Sequence, residues 1–192
     1  IRILIIADPR ERMSEEEVAE IRRYIDRGGN LILAAEPGRQ ANANDIAAIF
    51  GARFLDGRLA VPPGDSRQDL ILADVAKAAF NEMPALAQMR NHGYKITMPG
   101  SVGINTDGVS GFDCAHMLLS ARNTWNEFRT TDFANTVATL DSADGEKEGS
   151  RAVAAMLTRA IDGCRSQKII LLGDADCFSN AELMRDRYTV SS

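Results

Sequence analysis

The sequence predicts an α/β fold on a parallel sheet, and three observations carry that prediction. The chain opens on residues 1–7, a nearly unbroken apolar run rich in β-branched side chains, which suits a strand buried on both faces. A capped amphipathic helix follows. A second apolar run, residues 31–35, comes directly after it. Strand, helix and strand in that order make a crossover between parallel strands, almost always right-handed.

The helix start is explicit. Ser14 stands three residues before Glu17, the spacing of a capping box. Met13 and Val18 occupy the staple positions around it. Glu15, Glu16 and Glu17 suit the positive end of the helix dipole. Val18, Ile21 and Ile25 recur on one face, while Arg22, Arg23 and Arg27 load the other face and the last turn with positive charge. Gly28-Gly29 supplies the left-handed stop.

Beyond Glu36-Pro37-Gly38, a short helix over 41–50 is predicted, with Asn44 as its cap, Ile46, Ile49 and Phe50 inward and Gly51 as its end. Asp56-Gly57 between 53–55 and 58–61 is a hairpin signal. Residues 62–66 read as a loop. Residues 69–73 fit either a strand or a helix start, and 75–80 and 85–89 look helical, with Pro84 breaking anything that runs through it. Residues 94–98 alternate as a strand, and 101–111 read as a loop. Residues 114–121 form an interior strand centred on Met117, Leu118 and Leu119, and 123–127 a polar turn carrying the single tryptophan, Trp125. The charged stretch 141–150 is expected to be the most mobile loop. Residues 151–161 place Val153, Met156, Leu157 and Ile161 on a helical stripe ended by Gly163. Residues 168–172 are the last strong strand, and 181–186 begin a final helix.

A length of 192 residues supports one sizeable core, so 1–192 reads as a single domain. A net charge of −5 leaves no broad basic surface and disfavours nucleic-acid binding. No apolar run approaches the ~20 residues that span a bilayer. The chain starts on a strand without a methionine, which points to a soluble piece of a longer protein. Cys114, Cys164 and Cys177 form no metal-spaced pair, and their odd number excludes a disulfide scaffold. All three are expected to be reduced and mostly buried.

Chemistry has two candidate places. Ligands of α/β sheets bind beyond the carboxyl ends of the strands. Asp8, Glu36 and Asp174 fall there, with Asp176 two residues further, and these four are the candidate ligand-binding residues. Their oxygens suit magnesium or calcium, or equally serve to cap helices and tie off turns. No metal site, cofactor or catalytic residue is assigned. Cys177 sits where an elbow nucleophile would, with Ala175 and Ser179 two positions away, and Cys114 with His116 can share one strand face as thiol and base or as packed side chains. His92 is the other histidine. Residues 99–103, Pro-Gly-Ser-Val-Gly, match neither dinucleotide nor P-loop spacing. Glu146-Lys147-Glu148 reads as a solvated loop tip.

Several pieces recur in one order: a strand leading into Ser14-Glu15-Glu16-Glu17, a helix ending in Tyr24-Ile25-Asp26-Arg27-Gly28-Gly29-Asn30-Leu31, Pro99-Gly100-Ser101, Leu118-Leu119-Ser120 before Trp125, and Gly173-Asp174-Ala175-Asp176-Cys177-Phe178-Ser179-Asn180. This ordered set resembles the GldG-like auxiliary component of bacterial ABC-type transport systems, a family named from gliding motility, over most of the chain. The resemblance implies a three-layer, mostly parallel sandwich of the flavodoxin-like, class I glutamine amidotransferase-like type, normally without the catalytic cysteine and histidine of true amidotransferases. It also implies a position outside the cytoplasmic membrane, tethered by segments beyond these residues, and association with an ABC permease and ATPase. It implies no catalytic residues.

Overall fold

A computed structural model describes residues 2–64, 66–77, 83–163 and 165–176. In chain order the elements are β1 (Ile3–Ala7), α1 (Glu15–Asp26), β2 (Asn30–Ala34), α2 (Gln40–Ala47), β3 (Arg53–Phe54), β4 (Arg58–Ala60), β5 (Leu70–Val75), α3 (Pro84–Asn91), β6 (Ile96–Pro99), β7 (Ile104–Asn105), β8 (Asp113–Leu119), β9 (Trp125–Glu127), β10 (Ala152–Asp162) and β11 (Arg165–Leu172).

The N-terminal unit follows its local signals. β1 and β2 pair in parallel from Ile3–Asn30 to Ala7–Ala34. Ser14 Oγ accepts from the Glu17 amide at 3.2 Å, and Glu17 Oε2 accepts from the Ser14 amide at 2.8 Å, completing the capping box. Gly28 takes φ +85° at the helix end. Ile25 is buried, with Ile21 and Met13 packed on the same core. β1 itself departs from expectation. It is an edge strand covered on one face only, with Leu4 and Ile6 toward the core and Ile3 and Ile5 each 54% exposed.

The largest correction lies at residues 151–161, which form strand β10 and not a helix. Ala152, Val153, Ala154, Ala155, Met156 and Leu157 are all buried, because a central strand is covered on both faces. Such a run shows no alternation, and its apolar positions meet a helical template by coincidence. β10 turns at Gly163 into β11, and the two pair antiparallel from Ala154–Leu172 to Asp162–Arg165. The main sheet runs β1-β2-β11-β10-β8-β5-β6. Its β1–β2 and β2–β11 pairs are parallel. The β11–β10, β10–β8, β8–β5 and β5–β6 pairs are antiparallel. The chain is therefore not a three-layer, mostly parallel sandwich of the flavodoxin-like or class I glutamine amidotransferase-like type. A parallel α/β reading holds for the N-terminal unit and β11 alone.

Smaller corrections share one cause, pairing between distant segments. β3 and β4 flank Gly57, whose φ of +80° fits the turn signal, yet they do not form a hairpin together. β3 pairs with β7 inside the expected 101–111 loop, and β4 pairs with β9, the expected polar turn. All three residues of β9 are buried. Asn44 lies within α2 and does not cap it. Its Nδ2 donates to the Phe54 carbonyl at 3.0 Å and its Oδ1 accepts from the Phe54 amide at 2.7 Å. Residues 70–75 resolve as strand, and Pro84 opens α3 at its first turn, where a missing N–H costs nothing. Residues 78–82 and the expected helix over 181–186 lie outside the described residues.

Two apolar layers flank the sheet. One joins Leu31, Leu33, Ile169, Leu171 and Leu157 to Ile25 of α1 and Ile46 of α2. The other gathers Ile71, Met98, Met117, Val153 and Met156, with Leu86 and Met89 of α3 against it. Among the described residues no helix is long and apolar enough to cross a membrane.

Candidate functional site

Strand order decides which carboxylates meet. β1, β2 and β11 are parallel neighbours, so the residues after them gather at one end of the sheet. Carboxylate oxygens of Glu36, Asp174 and Asp176 lie within 4.8 Å of one another. Asp174 is buried, Glu36 half-buried and Asp176 exposed. Glu36 Oε1 accepts from the Ala175 amide at 2.7 Å, and Asp174 Oδ1 accepts from the Asp176 amide at 2.8 Å. Asp8 lies outside this group of three. Its φ of +47° turns the chain, and its Oδ2 accepts from Arg39 at 2.8 Å. Burial pushes the Glu36 carboxyl up, the charges of Asp176 and Asp8 add to that, and the Ala175 amide and Arg39 oppose it. Asp8, with Glu36 and Asp176 behind it, raises the Arg39 guanidinium. The three gathered carboxylates can coordinate a hard cation or meet a cationic group.

The floor of this site is tightly fitted. A Cβ on Gly173 would lie 2.1 Å from the Val102 carbonyl oxygen. The Val102 amide donates to the Gly173 carbonyl at 2.7 Å, and the Gly173 amide to the Val153 carbonyl at 2.8 Å. The 99–103 stretch is thus a stitch between strands, since Ser101 also accepts from the Leu59 amide at 2.8 Å and Gly103 from the Leu55 amide at 2.8 Å.

The thiol candidates fare differently. Cys114 is exposed, against the expectation of burial. His116 Nε2 lies 2.9 Å from Thr106 Oγ1, and His92 stacks on Tyr94 at 5.6 Å between centroids. No hydrogen bond joins Cys114 to His116 among the described residues. Cys164 and Cys177 lie outside them.

Sequence reading missed a set of buried polar anchors. Gln68 Nε2 donates to the carbonyls of Ala138 (2.9 Å) and Val61 (3.0 Å), and its Oε1 accepts from the Ala138 amide at 2.8 Å. Glu127 accepts from the amides of Thr130 (2.8 Å) and Arg129 (2.9 Å) and from the Trp125 indole (3.2 Å). Burial pushes the Glu127 carboxyl up, but these donors outweigh it and hold it below the usual carboxylate range. Asp69 is likewise pushed up by burial and brought below that range by Arg67 and Arg58. Glu146, read as a loop tip, is buried and accepts from the amides of Phe128 (3.0 Å) and Asp141 (2.8 Å). The 141–150 loop is therefore tied down at its centre. Asp69 and Glu127 find donors within three residues along the chain, whereas Gln68 reaches Ala138, 70 residues away.

An open groove of about 810 Å³ lies away from the carboxylates, between α1 and α2. Met13, Val18, Ala19 and Ala48 line it, and the Arg12–Asp45 ion pair, at 2.6 Å, bridges it.

No protein-family model matches the chain. No curated protein matches it either. Among solved structures it is similar to the mmIFT52 N-terminal domain, with a TM-score of 0.62 and 15% sequence identity, covering 96% of this chain and 71% of that one. At that identity the likeness concerns the fold alone.

Proposed function

We propose that this chain is a non-catalytic, extracytoplasmic binding and assembly module of an ABC-type transport system that associates with a permease and an ATPase, contacting partner subunits or an unknown ligand. The ordered resemblance to GldG-like components supports the transport reading, with membrane attachment supplied by segments outside these 192 residues. The observation that carries the binding part is the convergence of Glu36, Asp174 and Asp176 at the end of the parallel strands. Like charges held this close, on a surface that Asp176 keeps open, favour a cationic contact, such as lysine or arginine side chains of a partner subunit. Covalent chemistry through Cys114 is disfavoured, because among the described residues no hydrogen bond joins it to His116, whose Nε2 engages Thr106 instead.

The test is affinity purification of the protein from its native envelope, followed by mass spectrometry. Recovery of an ABC permease and ATPase is expected, and the Glu36→Gln, Asp176→Asn double variant should recover them less well. A protein that comes out soluble and without either subunit overturns the reading.

A further inference from the structure

The free edge of β1 is built to pair. The Asp8 amide donates to the Ala34 carbonyl at 3.0 Å, and the Arg2 carbonyl accepts from Asn30 Nδ2 at 3.1 Å, so the even-numbered residues turn their backbone toward β2. Backbone direction alternates along a strand. The N–H and C=O groups of Ile3, Ile5 and Ala7 therefore point away from the sheet, and all three residues are exposed. Among the described residues β1 pairs with β2 alone. Proteins usually protect such an edge with a charge, a proline or a bulge. Ile3–Ala7 contains none of these, and its register with β2 is unbroken. The opposite edge, β6, ends on Pro99, which has no N–H to offer.

We propose that β1 is a self-association strand, through which two copies of this chain pair edge to edge and antiparallel, about a twofold axis at Ile5. Register follows from which groups are free. Centring on Ile5 sets Ile5 opposite Ile5, Ile3 opposite Ala7 and Ala7 opposite Ile3, and each pair exchanges both of its backbone hydrogen bonds. Centring on Ile6 sets Ile3 opposite Pro9, which has no N–H to give, and centring on Leu4 sets Ala7 opposite Ile1, outside the described residues. The chosen register also brings Arg2 of one copy opposite Asp8 of the other. The Asp8 end is acidic, since Asp8, Glu36 and Asp176 crowd around Arg39, so the ladder's two ends attract. The exposed Ile5 side chains become a cross-strand pair, the unit that stabilises a sheet. A twofold contact of this kind closes on itself, giving a dimer and no fibre. The inference rests on the edge of β1 and stands apart from the transport reading.

Sedimentation equilibrium on the 192-residue chain, with amide exchange read residue by residue, tests it. A dimer is expected, with slow exchange at Ile3, Ile5 and Ala7. Ile5→Lys places like charges opposite each other and should weaken the dimer at least about tenfold, while Leu72→Lys, at a comparably exposed site 46% accessible, should leave it intact. Circular dichroism checks that both variants fold. A wild-type chain still monomeric at about 100 µM overturns the proposal. So does a dimer in which the Ile3, Ile5 and Ala7 amides exchange fast, or one that both variants weaken equally.

Discussion

Gln68→Leu should release the segment that covers Trp125. Gln68 is 6% exposed and Ala138 1% exposed, so the two hydrogen bonds between them replace water that neither group can reach. Leucine has a similar length and makes neither bond. The Ala138 N–H and C=O are then orphaned in the interior, at about 1–3 kcal/mol each. The Val61 carbonyl, on a half-buried residue, can turn to solvent. Leucine's apolar contacts return part of the loss, which leaves a net destabilisation of about 2–4 kcal/mol. That is a large share of a typical total of about 5–15 kcal/mol. Urea unfolding followed by far-UV circular dichroism measures it. Trp125 is the only tryptophan and shares a small core with Ala60, Phe133 and Ala138, so its fluorescence reports the local change. Its emission should shift red in the variant at urea concentrations where the sheet is intact. A loss under about 0.5 kcal/mol with unchanged emission would refute the claim that Gln68 holds this segment.

Other perturbations read other parts of the structure. Gly173→Ala puts a methyl 2.1 Å from the Val102 carbonyl oxygen, backbone that cannot step aside, and should cost about 3 kcal/mol or more in thermal unfolding; a melting temperature near wild type would mean the two strands can separate freely. Glu36→Gln should raise the melting temperature at neutral pH and not at acid pH. A carboxyl raised by folding binds its proton more tightly in the folded chain, so its contribution is full below the ordinary carboxylate range and lost as pH rises through the raised value. Glutamine keeps an acceptor for the Ala175 amide without the charge, and no gain at neutral pH would count against the burial effect. Glu127 has the opposite sign: held low by its donors, it contributes above the ordinary range and loses that contribution as pH falls through its lowered value. Glu127→Gln sets an amide N–H against the Trp125 indole N–H, so the variant should be less stable at neutral pH, with the gap closing in acid; a gap independent of pH would contradict this.

What the sequence made legible was local. The capping box at Ser14 and Glu17 and the stop at Gly28 each depend on a few consecutive residues, and each formed. Partner choice was not legible. The stretch 53–61 has hairpin chemistry, but Phe54 and Ala60 are fully buried against distant strands, and that burial outweighs the local turn. β10 carries no strand signal in the sequence, because its two buried faces erase the alternation that marks a strand. For the site, each acid's place after a strand was visible, since strand ends are local. That Glu36 meets Asp174 and Asp176, while Asp8 turns to Arg39, depends on β11 lying beside β2 and on the positive φ of Asp8.

The place of β11 has a consequence for how the chain is made. Leu31, Ile32, Leu33 and Ala34 of β2 take as partners Ile169, Ile170, Leu171 and Leu172, from the far end of the described sequence. A ribosome delivers β1, α1 and β2 long before it delivers the strand that joins them to the rest. Until then both edges of the N-terminal pair are open. Contacts this distant must be closed before they stabilise anything, so they set a slow pace for folding. The last of the described strands is the one that locks β2 in place, and the growing chain is exposed to mispairing until it arrives.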